Sequence, residues 1–267
     1  MKQLTAKLSL SHIKKYGQYT QNVSWARWYA HVAPLKAKRV VKTLRNFKNT
    51  QAMLLDLGCG TGMTFATVSQ AFPSAVALDI GDREIMATKE LLKKLGVSRV
   101  VKKYDGKIIP YPSNSFDIVT SIEVIEHVAD SDFMLREIRR VLKTDGILHI
   151  TTANKLWPVE PHFKLPFLSY LPSPLSDWYV RITGRGSSYE NIKLPTYRQF
   201  YSMVEKYFTI ADITLDVISQ YRQYGLDKER GALIPLIGKA IAALPHWLKP
   251  LILNVSLGWL FIARPKK

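Results

Sequence analysis

From residue 50 onward, short apolar runs alternate with stretches whose apolar positions recur at helical spacing. The runs are "AMLLDLG", "AVALDI", "RVVKKYD", "FDIVTSI" and "GILHITT". Apolar segments this short, rich in Val, Ile and Leu, predict strands, "AMLLDLG" a buried one. Between them lie "MTFATVSQAF", "REIMATKELLKKLG" with its glycine stop, and "SDFMLREIRRVLK", where Phe133, Ile138, Val141 and Leu142 approximate one face. Those stretches predict helices, and the alternation predicts βαβ units in an α/β fold with a mostly parallel sheet. A helical segment, roughly Ala26 to Phe47, precedes them; "YFTIADITLDVI" predicts a sixth strand and "LGWLFIARP" a last one.

Two segments break the alternation. One begins with "LWPVEPHFKLPFLSYLP", Leu156 to Pro172, and continues to about Tyr197; the other is Gly231 to Val255. Prolines exclude a continuous core helix from the first, and its apolar content exceeds what a solvent loop needs. The expected organisation is a helical cap over 1–49 and a sheet domain over 50–267. That domain carries an inserted roof at 155–197 and an apolar lid at 231–255. The roof follows the fifth strand, after Asn154, and ligands in open α/β sheets bind at that carboxyl edge. It is therefore expected to wall a substrate site, with Phe163 and Phe167 as apolar surface, Glu160 and His162 as polar contacts, and His162 as the reactive candidate.

The sharpest local motif is "LLDLGCGTG", with Asp56, Gly58, Cys59, Gly60 and Gly62 between a strand and a helix. Glycines there let a ligand approach the backbone, and the helix start offers free N–H groups. No Gly-Lys-Ser/Thr follows, and the third glycine falls one residue early for a dinucleotide fingerprint. Asp56 suits a positively charged amine better than a phosphate. Asp79, ending the second strand, is placed to bind ribose hydroxyls, and Asp105 with Gly106 to meet an adenine.

Charge changes the picture at the ends. The net charge is +17; residues 1–50 hold 11 Lys or Arg and residues 230–267 hold 6, with no acid in either stretch, while the middle is neutral. That distribution suits an anionic partner: phosphate-bearing lipid, a membrane surface or nucleic acid. The single cysteine excludes a disulfide framework, the scattered histidines show no H-x-x-x-H pair, and no metal is expected. "MKQLTAKLSLSHIKKYG" is a poor signal peptide, so the expectation is a cytoplasmic protein, peripheral at the inner membrane face if the basic ends act there. Gly231–Val255 is interrupted by Lys239, Pro245-His246, Lys249 and Pro250, which suits an interfacial hairpin or a buried lid better than a span.

Together, "LLDLGCGTG", "ALDI", "YDGKIIPYPSNSFDIVTSIEVIEHV" and "LREIRRVLKTDGILHITT" resemble the successive motifs of class I S-adenosylmethionine-dependent methyltransferases. The likeness is to the branch that includes the ubiquinone and menaquinone biosynthesis enzymes, and it is close over about 50–153. It implies a Rossmann-like seven-stranded sheet and S-adenosylmethionine as cofactor. Asp56, Gly58, Gly60 and Gly62 would then hold its methionine part, Asp79 its ribose, and Ile80, Asp105 and Gly106 its adenine, with Ser121 and Ile122 lining the pocket. In "EVIEHV", Glu126 would face the substrate and His127 is a second candidate base. Tyr19, Trp25 and Tyr29 are candidates to cover the site from the amino-terminal side. The expected reaction is methyl transfer to oxygen, less readily carbon, of an amphiphilic acceptor such as a quinone precursor or lipid-linked sugar. An RNA methyltransferase and a non-catalytic membrane-associated protein are the alternatives; "SIEV" stands where many nucleic-acid enzymes carry Asn/Asp-Pro-Pro-Tyr/Phe.

Overall fold

The computed structural model describes residues 4–16, 23–190 and 192–266. Two helices, α1 (Ala6–Tyr16) and α2 (Val23–Arg45), precede the regular alternation. It runs β1 (Leu54–Leu57), α3 (Phe65–Ala71), β2 (Ala75–Asp79), α4 (Asp82–Leu95), β3 (Val100–Lys103), β4 (Phe116–Ile122), α5 (Ser131–Val141) and β5 (Leu142–Ala153). Then come α6 (Ser173–Ile182), α7 (Tyr197–Glu205), β6 (Phe208–Asp212), α8 (Thr214–Ser219), α9 (Leu226–Arg230), α10 (Ile234–Ala243), α11 (Lys249–Asn254) and β7 (Gly258–Pro265). The seven strands form one sheet in the order β3-β2-β1-β4-β5-β7-β6, with β7 antiparallel to both neighbours. Strand order reverses between β1 and β4, the crevice where open α/β sheets take ligands.

Alternate strand residues feed two cores. Leu54, Ile118 and Ile147 pack with Leu44, Phe65 and Leu91 on one face. Leu55, Val119 and Leu148 pack with Leu135, Phe200 and Phe261 on the other. All seven expected strands form, with two corrections to their surroundings. The buried face of α5 is Met134, Leu135, Ile138 and Val141, and Leu142 opens β5. The stretch "YFTIADITLDVI" is strand only as far as Asp212, whose Oδ1 accepts the Thr214 N–H at 2.9 Å and so helps turn the chain into α8. Within the expected helical cap over 1–49, α1 adds a helix ahead of the segment expected from about Ala26; its buried residues Ser9, His12 and Ile13 lie among lysines.

The roof has a small core of its own, formed by Phe163, Leu165, Leu168 and Val180. The lid is two helices bent by 119° about the Leu244–Pro245 break. Its inner side, Ile234, Gly238 and Ile241, is buried, and at Gly238 a Cβ would lie 2.5 Å from the Tyr221 ring. Asn154 joins roof and lid: its side-chain amide donates to the carbonyls of Asn254 (2.9 Å) and Ser256 (2.7 Å), and its Oδ1 accepts the Leu156 N–H (2.9 Å).

Candidate active site

Two glycines of the loop after β1 leave no room for a side chain. Gly58 has φ 78°, and a Cβ there would stand 2.5 Å from Val124; Gly62 has φ 80°, with Thr88 Oγ1 2.7 Å away. Three contacts hold the loop from outside. Asp79 Oδ2 accepts the Gly60 N–H at 2.7 Å, Thr88 donates to the Gly60 carbonyl at 2.9 Å, and the His12 ring lies 2.8 Å from the Thr61 carbonyl. Helix α1 therefore braces the loop directly. Its end is tied to α4 through Tyr16 and Lys15 on Glu90.

Two buried acids stand behind this loop. Asp56 accepts the Thr120 hydroxyl at 2.6 Å, and burial pushes its carboxyl up to about 6. Asp79 is buried beside it, its Oδ1 accepting the Gly81 N–H at 3.1 Å. Burial, helped by the charges of Asp56 and Asp79, also raises the Cys59 thiol, which makes that cysteine an inert lining group. Further along the edge, Ile80 is 61% exposed, and Gly106 (φ 78°) lies where a Cβ would come within 3.2 Å of its side chain. Asp105 is exposed and its Oδ1 accepts the N–H groups of Lys107 and Ile108, a turn that fixes the loop beside Ile80. Ser121 is fully buried with its hydroxyl unpartnered among the described residues, and Ile122 packs on the core. A cradle closed to Cβ atoms at Gly58 and Gly62, two buried carboxylates and an orphaned hydroxyl fit a cationic ligand with a nucleoside part.

Beyond the end of β4 lies an acid-base cluster. The roof segment folds back on itself, Val159 bridging Pro166, and this narrow loop presents His162. Glu160 is fully buried; its Oε2 accepts the Phe163 N–H and its Oε1 lies 2.6 Å from His162 Nδ1. Burial alone would lower the His162 pKa, but the hydrogen bond to Glu160 and the charges of Glu160, Glu126 and Glu123 outweigh it and raise the value. The exposed His127 ring stands edge-on to His162, centroids 5.2 Å apart. Glu126 is buried, with Oε2 accepting the Thr152 hydroxyl at 3.1 Å and Oε1 unpartnered among the described residues; burial, then the Glu123 charge, pushes it up to about 7.

Glu123 itself adopts φ 55° and pairs with Lys36 of α2 at 3.0 Å. The Lys36 charge holds that carboxyl well below the usual range. Lys164 of the roof lies over the Trp28 ring, 4.7 Å from its centroid, so α2 and the roof meet across this cluster. Tyr29 is partly buried on the same helix; Tyr19 and the Trp25 side chain lie outside the described residues.

The structure thus joins into one cluster the two expected pairs, Glu160 with His162 and Glu126 with His127. It separates the two phenylalanines. Phe163 is buried in the roof core against Tyr189, so packing takes the place of the expected wall contact, whereas Phe167 is 59% exposed. Lys36 was missed, since nothing local distinguishes it from the other lysines of a basic helix. Glu126, His127 and His162 carry donor atoms within 4.8 Å of one another, a set that could hold a metal ion, although none was expected. His149, fully buried in β5, is pushed down to about 4 by burial and stays neutral in the core.

Residues 55–150 match a family model described as a methyltransferase domain. A ubiquinone biosynthesis O-methyltransferase of Pelagibacter ubique is 31% identical over 124 residues, 46% of this chain and 49% of that protein. A demethylmenaquinone methyltransferase of Lactobacillus johnsonii is 36% identical over 121 residues, 43% and 49% of the respective chains. The chain therefore spans about half the length of these curated relatives. Among solved structures, the YcgJ protein of Bacillus subtilis superposes with a TM-score of 0.54 at 16% identity, covering 87% of this chain and 98% of that one. A Thermotoga maritima protein described as an S-adenosylmethionine-dependent methyltransferase gives 0.52 at 13%, covering 96% and 99%; at these identities the likeness is one of fold. Motifs, cradle and family match converge on residues 55–150, which match a methyltransferase domain; over that part the chain is similar to ubiquinone and menaquinone biosynthesis methyltransferases.

Proposed function

We propose that this protein transfers a methyl group from S-adenosylmethionine to a hydroxyl oxygen of an amphiphilic small molecule, with a quinone precursor or lipid-linked sugar as the acceptor class. The observation that carries this reading is the Glu160–His162 pair at the carboxyl end of the sheet. When bound, the cofactor supplies a methyl carbon already activated by a sulfonium, so the protein must align the acceptor and receive its proton. Glu160, accepting from Nδ1, fixes the tautomer that leaves Nε2 of His162 to take the proton as the oxygen forms its bond to carbon. Glu126, held at the edge of ionisation, and His127 stand beside it to orient the acceptor hydroxyl. Asp56, Asp79 and the glycine cradle would hold the cofactor on the other side of β4. The relatives' names, one of them an O-methyltransferase of ubiquinone biosynthesis, support the acceptor class.

The test is methyl transfer from labelled cofactor into lipid extracts and purified phenolic quinone precursors. His162→Gln should retain cofactor binding and lose about 10²–10⁴ in turnover. Full turnover in both His162→Gln and His127→Gln variants would remove the enzymic base and favour transfer to an acceptor that needs none.

A further inference from the structure

Helices α10 and α11 are apolar on both sides. Their inner residues reach the core, but Leu233, Leu236, Trp247, Leu251 and Val255 are 63–72% exposed, and Ile237 is 46% exposed. Along α10 the outward positions Leu233, Leu236, Ile237 and Ala240 follow helical spacing, so the exposure is a continuous stripe and not scattered side chains. Among the described residues no single helix is long and apolar enough to cross a membrane; α10 and the segment from His246 through α11 reach that length and apolarity only together, and they are bent by 119°.

The charges say which interface. Lys239 is exposed on α10 and Lys249 opens α11, His246 is exposed between them, and from residue 230 to the last residue there is no Asp or Glu. Trp247 stands at the bend with the most exposed ring of the segment, the position at which indoles settle among headgroups. A second copy is a poor occupant for this face, because each chain carries +17 and like charge opposes close approach. The face is also fastened to the site. Asn154, where the roof begins, holds the carbonyls at the end of α11.

We infer that the outer face of α10 and α11 docks on an anionic phospholipid bilayer, with the apolar stripe in the headgroup–acyl boundary and the lysines among the phosphates. This deepens the reading of an amphiphilic acceptor by naming the surface from which such a molecule would enter. It is tested without cofactor or acceptor, so its failure is separate from a failure of that reading.

The experiment is flotation of the full chain with vesicles of phosphatidylcholine alone and of phosphatidylcholine with phosphatidylglycerol. The protein should float with the anionic vesicles, and rising salt should weaken but not abolish this. A Leu236→Ser, Trp247→Ala, Leu251→Ser triple variant alters exposed positions only; a thermal melt should match the wild type while the partition coefficient falls at least about tenfold. Phosphate-binding by basic residues elsewhere would show as flotation unaffected by the triple variant, which overturns the proposal. So would absence of flotation on anionic vesicles at low salt. Sedimentation that finds a dimer dissociated by the triple variant would assign the face to a second copy and overturn it equally.

Discussion

Replacing Glu160 with glutamine isolates the chemistry of the roof from its shape. Both carboxylate oxygens are engaged in the wild type, Oε2 by the Phe163 N–H and Oε1 by His162 Nδ1, each at 2.6 Å. Glutamine is isosteric but has one acceptor oxygen. The Phe163 N–H is a fixed donor in a buried turn, so the amide oxygen must face it and the NH₂ must face His162. Nδ1 then has to accept, the ring proton moves to Nε2, and the nitrogen that should take the acceptor's proton is already protonated. Turnover should fall by about 10²–10⁴-fold, the range for loss of a positioned base, while calorimetric affinity for the cofactor stays at the wild-type value. The pH profile gives a second readout. The wild-type base works only when neutral, so kcat/KM should rise with pH through a His162 value above 6.5; removing the carboxylate that raises it should carry the remaining limb downward. Stability provides the folding control: the His162 proton contributes stability that is present below 6.5 and lost as pH rises through the raised value, and glutamine should flatten that slope. Wild-type turnover with an unchanged profile in Glu160→Gln would refute the reasoning.

Two further substitutions test the parts around this pair. Gly58→Ala would force a Cβ to 2.5 Å from Val124 at φ 78°, so denaturant unfolding should show a loss of about 1–3 kcal/mol and calorimetry a weakened cofactor; Val124→Ala should restore only the steric part. Glu126, raised from 4.5 to about 7, contributes stability that is present below 4.5 and lost as pH rises through 7. Glu126→Gln should therefore gain on the wild type with rising pH, by at most about 3 kcal/mol in denaturant melts.

The centre of the sheet was legible because β1, β2, β4 and β5 are brief apolar runs between turn residues, as buried parallel strands must be, while β3 at the edge buries only Val101. The glycine cradle was legible for a related reason: positive φ at Gly58, Gly60 and Gly62 restricts the residue type, so conformation is printed directly in sequence. The acid-base cluster was legible only in pieces. His127 and His162 are far apart in the chain and meet because the roof folds back through the Val159–Pro166 bridge, and a bridge between a valine and a proline leaves no periodic trace. Lys36 reaches Glu123 across the domain, and its role depends on that distance alone. Phe163 and Phe167 show the opposite difficulty. They are the same residue type four positions apart, and only the left-handed φ of Phe167 and the small core around Phe163 put one outside and the other inside.

The Asn154 joint limits how this protein can vary in length. Its amide must meet two carbonyls, one on the last residue of α11 and one two residues beyond, while its oxygen caps the first turn of the roof. Adding one residue to α11 would turn its final carbonyl by about 100° around the helix axis and carry it away from the amide. Insertions and deletions can therefore accumulate at the far ends of both segments, around the Pro245 bend or between Gly184 and Tyr189, but not next to the joint. One side chain sets the register of two insertions, through a bond between residues a hundred positions apart in the chain.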